Sequence, residues 1–392
     1  MDPVRNPYSP GAGQRPPELA GRESELTAFE VALDRLAAGR AERGIVLTGL
    51  RGVGKTVLLE EARSLADRRG WVSAFIEADS DRSFRLLACR ALTSSLRATS
   101  LRHRTSARLR SALRVFRSFS LQASADGSIG IGLDVDPLAG RADSGDLEMD
   151  LSELLVDLGE AAADFGAGVL LLVDELQEIP RSDLAALAGA AHRANRLRLP
   201  VAVCGAGLPN LPTLLTEAKT YAERLFAYRR IGALDRSEAA DALMRPAEAL
   251  EVTWQPEALD HAVQAAEGYP YFLQVFGKKI WDAAPSDNEI SADDARVGVL
   301  LAQGELRDSF FGPRWERATR TQKTYLAAMA VEETADGTAS SGRVAARVGK
   351  SHRELSTSRD QLIRRGLIYV PARGLVAFTI PGMAEFIESV TK

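Results

Sequence analysis

The octet Gly49-Leu50-Arg51-Gly52-Val53-Gly54-Lys55-Thr56 constrains this chain more than any other feature. Gly49, four further residues, then Gly54-Lys55-Thr56 is the spacing of a phosphate-binding P-loop. The flanks agree with that reading. GIVLTG (44–49) is a short apolar run expected as a buried strand, and GKTVLLEEARSLADRRG (54–70) carries a helical pattern stopped by Gly70. Glycines there let backbone N–H groups curl around phosphate oxygens, and the helix N-terminus adds positive potential at the same point. Lys55 would reach the β/γ-phosphates of a nucleotide, and the Thr56 hydroxyl would bind Mg²⁺. Gly49, Arg51, Gly52, Val53, Gly54, Lys55, Thr56 and Val57 are the candidate phosphate contacts. WVSAFIEAD (71–79) supplies a second strand, so the order strand, loop, helix, strand predicts a parallel α/β sheet.

A second signal is VLLLV (169–173) followed by Asp174-Glu175. A buried apolar strand that ends in two carboxylates asks for a cation nearby. Asp174 would hold Mg²⁺ and Glu175 would polarise an attacking water. Taken alone, the aspartate could equally be a helix cap. VAVC (201–204) and YRRIGAL (228–234) are expected as further strands. Within TYAERLFAYRR (220–230), Arg224 is a candidate arginine finger toward a neighbouring subunit's γ-phosphate; a solvated face is the plainer alternative.

Residues 1–20 are rich in Pro and Gly and predict an extended arm, followed by an amphipathic helix over 22–39. Residues 83–99 and 101–117 carry helical patterns. Phe119, Leu121 and Ala123, then Ile129, Ile131, Leu133 and Val135, alternate as in a hairpin turning at Ala125-Asp126-Gly127. Residues 149–165 predict another amphipathic helix. From about 235 to 284 the pattern is helical, and 285–312 is a linking segment with helical stretches. From 318 onward three helices, two strands about a Pro371–Gly374 turn and a final helix predict a winged helix-turn-helix.

Composition limits the alternatives. Two cysteines far apart, Cys89 and Cys204, exclude a disulfide scaffold and fit a reducing compartment, and four scattered histidines lack metal-ligand spacing. No apolar run is long enough to span a membrane and the N-terminus has no secretion-signal core, so the expected location is the cytoplasm. A net charge of −4 argues against a uniformly basic coat. The mean hides segregation, however. Residues 97–117 hold seven Arg and no acid, residues 341–373 hold eight Lys/Arg against two acids, and residues 131–187 hold fourteen acids against two Arg. The first basic block could contact DNA, serve as an interaction arm or pair with the acidic block. The second suits phosphate contacts on the predicted reading helix and wing, with Lys350, Ser351, Arg353, Arg359 and Arg373 as candidate DNA-binding residues.

The order of these motifs resembles the AAA+ ATPases, and within them the branch of origin-recognition-complex-like initiators and STAND signalling ATPases. Beyond the P-loop, Ala20-Gly21-Arg22-Glu23-Ser24-Glu25-Leu26 is similar to the segment that lies against the nucleotide base in that family, which implies Gly21 and Arg22 as nucleotide contacts. Glu267-Gly268-Tyr269-Pro270 is similar to the element that approaches the adenine from the lid, implying Tyr269 and Pro270. A polar residue commonly meets the γ-phosphate after the strand at 201–204; here only Cys204, backbone N–H groups and Asn210 are offered. The chain departs from the pattern in an insertion at 85–148 and in lacking a clear lid sensor arginine.

The resemblance implies an arm over 1–20, a nucleotide-binding core over 21–234, a helical lid and linker over 235–312, and a winged helix over 313–392. It implies a Mg²⁺-dependent ATPase whose nucleotide state controls the winged helix on double-stranded DNA. A slow-hydrolysing switch that uses the winged helix to dock an effector protein, or that assembles as a homo-oligomer, is the competing expectation. A transcription factor for which ATP is only a ligand is a third.

Overall fold

The computed structural model describes every residue except Ala12, Arg104, 124–134, Asp287 and Lys392. The apolar run before the P-loop is β1 (Gly44–Thr48), and it lies inside a parallel sheet. Its companions are β2 (Val72–Glu77), β3 (Val169–Asp174), β4 (Val201–Gly207) and β5 (Phe226–Arg230), ordered β2-β3-β4-β1-β5. Parallel strands need cover on both faces, which is why β3 is apolar throughout and wholly buried. Its side chains alternate between two cores: Leu170 and Leu172 belong to one, Val169, Leu171 and Val173 to the other. β5 is set two residues earlier than its sequence pattern predicts. It pairs with β1 from Gly44 opposite Phe226 to Thr48 opposite Arg230, so both strands stop together at the P-loop.

Helices α1 (Glu23–Ala37) and α2 (Lys55–Arg68) line the first core. The second face is covered by α3 (Phe84–Arg102), α4 (Ala107–Leu121), α5 (Leu147–Ala163) and α6 (Arg181–Arg196). Two expectations fail here. The helical pattern over 101–117 is broken, because α3 runs on to Arg102 and Ser106 caps α4 by accepting the Leu109 N–H. The first arm of the predicted hairpin is also helical: Phe119 and Leu121 belong to α4. Its buried residues Leu109, Ala112, Leu113, Phe116 and Phe119 keep a helical spacing that overrides the two-residue alternation. Most of the second arm, including Ile129, Ile131 and Leu133, lies outside the described residues. α3 and α4 thus pack on the second core beside α5 and α6. A buried ion pair, Arg85 to Asp150 at 2.8 Å, ties α3 to α5, and Asp150 also accepts the Ser144 hydroxyl and N–H.

After β4 come α7 (Leu211–Ala218) and the single turn α8 (Ala222–Leu225). Then α9 (Arg236–Glu248), α10 (Pro256–Ala266), α11 (Pro270–Ala283) and α12 (Ala292–Glu305) form a helical group with a two-residue parallel pair, β6 (Thr253–Trp254) and β7 (Glu289–Ile290). A π-helical turn, Leu306–Phe311, joins α12 to α13 (Gly312–Glu316). The chain closes with α14 (Arg320–Glu332), β8 (Thr338–Ser340), α15 (Ser341–Val348), α16 (His352–Arg364), β9 (Ile368–Tyr369), β10 (Leu375–Phe378) and α17 (Met383–Thr391). Its three strands form an antiparallel sheet ordered β8-β10-β9. Among the described residues no helix is long and apolar enough to cross a membrane.

Candidate functional site

The P-loop leaves β1 and enters α2 at the carboxyl edge of the sheet. Gly54 stands at the helix N-cap with φ 95°, a left-handed conformation that a side chain would strain. Lys55 is buried, and its Nζ donates to the carbonyls of Gly49 (3.0 Å) and Leu50 (2.7 Å). Burial lowers the Lys55 pKa, and the nearby carboxylates of Glu175 and Asp174 oppose that shift. The Thr56 hydroxyl donates to Asp174 Oδ2 at 2.6 Å, so the two residues expected around Mg²⁺ touch. Asp174 is only 4% exposed; burial raises its pKa, and the Thr56 hydrogen bond acts against this. Glu175 follows in the left-handed region (φ 51°, ψ 42°), and its carboxylate is 3.7 Å from Arg51 Nη2.

Of these residues, Gly54, Lys55, Thr56 and Glu175 line a cavity of about 490 Å³, and Asp174 reaches it only through Thr56. Its lining joins Arg51, Gly52, Val53, Gly54, Lys55, Thr56, Val57 and Glu175 to the apolar Leu19, Ala20, Leu234, Ala242 and Leu273 and the Gln274 amide. A lining that combines charged and apolar groups suits a nucleotide. Two larger cavities, about 700 and 870 Å³, are lined by neither Lys55 nor Thr56, so size alone does not mark the site. Thr56 and Asp174 fit Mg²⁺, which takes a hydroxyl and one or two carboxylates beside substrate phosphates.

Other candidates fall in different places. Arg22 is buried and lines the cavity, but its guanidinium also clamps backbone, donating to Val53 O (3.3 Å) and Gly232 O (2.7 Å). Gly21 faces the Glu238 carboxylate, which a Cβ there would meet at 2.3 Å. Pro270 lines the cavity, whereas the Tyr269 ring packs beside Gly52 and Phe272 and is buried outside it. Gly49 also lies outside the cavity's lining, with its N–H on Gly207 O. Arg224 is exposed at the end of α8 and does not line the cavity. Cys204 is turned into the core, where its Sγ accepts the Ile45 N–H at 3.3 Å and burial pushes the thiol up to about 12.

Two components of the site carry no local sequence signal. One is the N-terminal arm, which is docked rather than free. Tyr8 is 2% exposed against α9 and α11 and accepts a hydrogen bond from Trp254 Nε1, and the Ser9 N–H donates to Gln274 Oε1 at 3.1 Å. Ser9, Pro10, Gly11, Gly13, Gln14 and Pro16 then form a wall of the cavity. The other is Arg314. The π-helical turn brings it to the same cavity, stacked on Phe310 at 4.2 Å, and burial followed by the charge of Arg51 lowers its pKa. A Tyr8 amid Pro and Gly, or one Arg just beyond a linking segment, carries no pattern by itself.

The candidate DNA-binding residues are dispersed. Lys350 and Arg353 are exposed near the start of α16, and Arg373 is exposed on the β9–β10 turn. Ser351 is spent as the α16 N-cap, in a capping box with Glu354. Arg359 is half-buried beside Asp360 and Tyr325. Arg343 and Arg347, which contributed to the basic count, both pair with Glu332.

The comparisons bear on this same region. Residues 18–204 match the model of the AAA ATPase domain, and residues 308–387 match a domain of unknown function (DUF8462). No curated protein matches the chain. Among solved structures, the chain is similar in fold to a Walker-type ATPase of Pyrococcus abyssi. That likeness has a TM-score of 0.60 at 15% identity and covers 96% of this chain and 98% of that one. Further likenesses are to Cdc6p of Pyrobaculum aerophilum (TM-score 0.46, 14% identity, 100% and 99% covered) and to Orc1 of Aeropyrum pernix, solved in complex with DNA (0.45, 16%, 95% and 94%). The fold is that of an AAA+ P-loop ATPase, and the protein is an ATP-binding ATPase.

Proposed function

We propose that ATP and Mg²⁺ occupy the cavity on the P-loop and that their presence controls a C-terminal winged helix that binds double-stranded DNA. The division is the one expected from sequence: arm 1–20, core 21–234 with the 85–148 insertion, lid and linker 235–312, winged helix 313–392. Lys55 reaches the β/γ-phosphates, and the helix N-terminus and loop N–H groups cradle them. Thr56 and Asp174 hold Mg²⁺, which neutralises phosphate charge when bound. Glu175 accepts a proton from the attacking water. Arg51 and Arg22 contribute positive charge from the loop and from beneath it, and Arg224 serves a neighbouring copy rather than its own site.

One observation carries the control reading. The Arg51 N–H donates to Thr379 O at 3.0 Å, and Leu50 packs with Leu208, Tyr369 and Ala377. Two residues of the phosphate loop therefore bear directly on the C-terminal sheet. A loop that shifts to bind phosphate must move against that contact. DNA binding rests on Lys350, Arg353 and Arg373, exposed on α16 and its neighbouring turn. The second reading, a switch that docks an effector protein, is favoured by the pairing of Arg343 and Arg347 with Glu332, which takes two of the eight basic residues of 341–373 out of play.

Fluorescence anisotropy of a labelled duplex, at low and high salt and with and without ATP, tests the choice. The DNA reading expects salt-sensitive binding whose affinity changes with ATP. Absence of binding at low salt supports the docking reading, and binding indifferent to ATP removes nucleotide control.

A further inference from the structure

The end of β4 has no polar side chain to offer the reacting phosphate. Cys204 is turned into the core, and Gly205, Ala206 and Gly207 follow it. The space is filled from the neighbouring strand instead. We propose that Gln177 is a positioning residue that holds the Glu175 carboxylate at the P-loop cavity, using the end of β4 as its anchor. The proposal rests on Glu175 being the group that activates water.

The geometry runs through one amide. Gln177 lies in the single helical turn Leu176–Glu178 after β3. Its Oε1 accepts the Leu208 N–H at 3.1 Å, just past the end of β4. A backbone N–H can only donate, so this bond fixes which end of the amide faces β4. The Nε2 then points the other way and donates to Glu175 Oε2. Gly207 makes this fit possible, since a Cβ there would stand 2.5 Å from Gln177 Oε1.

Glu175 needs such an anchor. Its backbone is left-handed (φ 51°, ψ 42°), a conformation glutamate seldom adopts, so regular strand geometry does not aim its side chain. Its ion-pair partner, Arg51 Nη2, is 3.7 Å away, beyond hydrogen-bond length. In hydrolysis, the water oxygen bonds to the γ-phosphorus and the bond from phosphorus to the bridging oxygen breaks. ADP and phosphate leave, and the water proton passes to Glu175 and then to solvent. A carboxylate free to swing would lose the alignment this transfer requires.

Gln177→Glu isolates the claim, because it keeps an acceptor for the Leu208 N–H and removes the donor to Glu175. Steady-state ATP turnover is measured for the full chain, Gln177→Glu, Gln177→Met and Glu175→Gln, with melting temperature read on each. The expected result is a fall in kcat of at least ~10-fold in both Gln177 variants, with KM within about two-fold and Gln177→Glu melting like the wild type. Wild-type kcat in Gln177→Glu overturns the proposal, as does a loss of kcat matched by a rise in KM. Should Glu175→Gln itself turn over at the wild-type rate, the reading of Glu175 fails and this proposal with it. An inactive Glu175→Gln beside a fully active Gln177→Glu removes the proposal alone.

Discussion

The P-loop and helix α16 are both rich in positive charge, yet they use it differently. At the P-loop, Lys55, Arg51 and Arg22 line one cavity with Glu175, and Asp174 is tied to it through the Thr56 hydroxyl. Around α16 the charges spread out. Arg343 and Arg347 are paired to Glu332, Arg365 donates to Arg317 O and Gln322, and Arg359 lies against Asp360, while Lys350, Arg353, Arg364 and Arg373 are exposed. A motif whose function depends on the main chain keeps its meaning when folded. A charge count does not, because neighbours in space can cancel it.

The contrast can be broken most sharply at Lys55. Lys55→Ala should retain the fold and lose about 2–5 kcal/mol of nucleotide binding, roughly 30-fold or more, in a direct binding assay. Glu175→Gln should bind ATP normally and lose roughly 100-fold or more in turnover, as removal of a general base does. On the dispersed side, Arg353→Ala and Arg373→Ala should each weaken duplex binding modestly and lower the salt slope by about one. Equal salt slopes in all variants would place the contact elsewhere. The smallest effect concerns Glu333, half-buried after α14, where burial and then Glu385, Asp336 and Glu388 raise its carboxyl to about 7. Its folded pKa lies above its unfolded value, so its contribution is fully present below about pH 4.5 and is lost as pH rises toward 7. Glu333→Gln should therefore raise the melting temperature at pH 8 and leave it unchanged at pH 4.

Much of the sheet and half of the site were legible because their signals are local. Gly49 to Thr56 and VLLLVDE carry strand, turn and ligand in consecutive residues, and their side chains meet as expected at Thr56 and Asp174. The failures share a cause. Phe119 and Leu121 satisfy both a two-residue and a helical period, and only packing on the second core decides between them. Tyr8, Arg314 and Gln177 reach the site, or hold what reaches it, through contacts far apart in sequence or through a single amide. Periodicity is silent on all three. The Arg97–Arg117 block illustrates the same limit: Arg108 pairs with Asp164 and Arg114 with the Asp136 carbonyl, drawing part of the block into the protein's own acidic segment.

Calorimetric titration of ATP with Mg²⁺ into the wild type and into Lys55→Ala tests the central claim most directly. The P-loop cavity predicts saturable one-site binding in the wild type and its loss in the variant, with both proteins melting cooperatively. Equal affinity in the two proteins would contradict it.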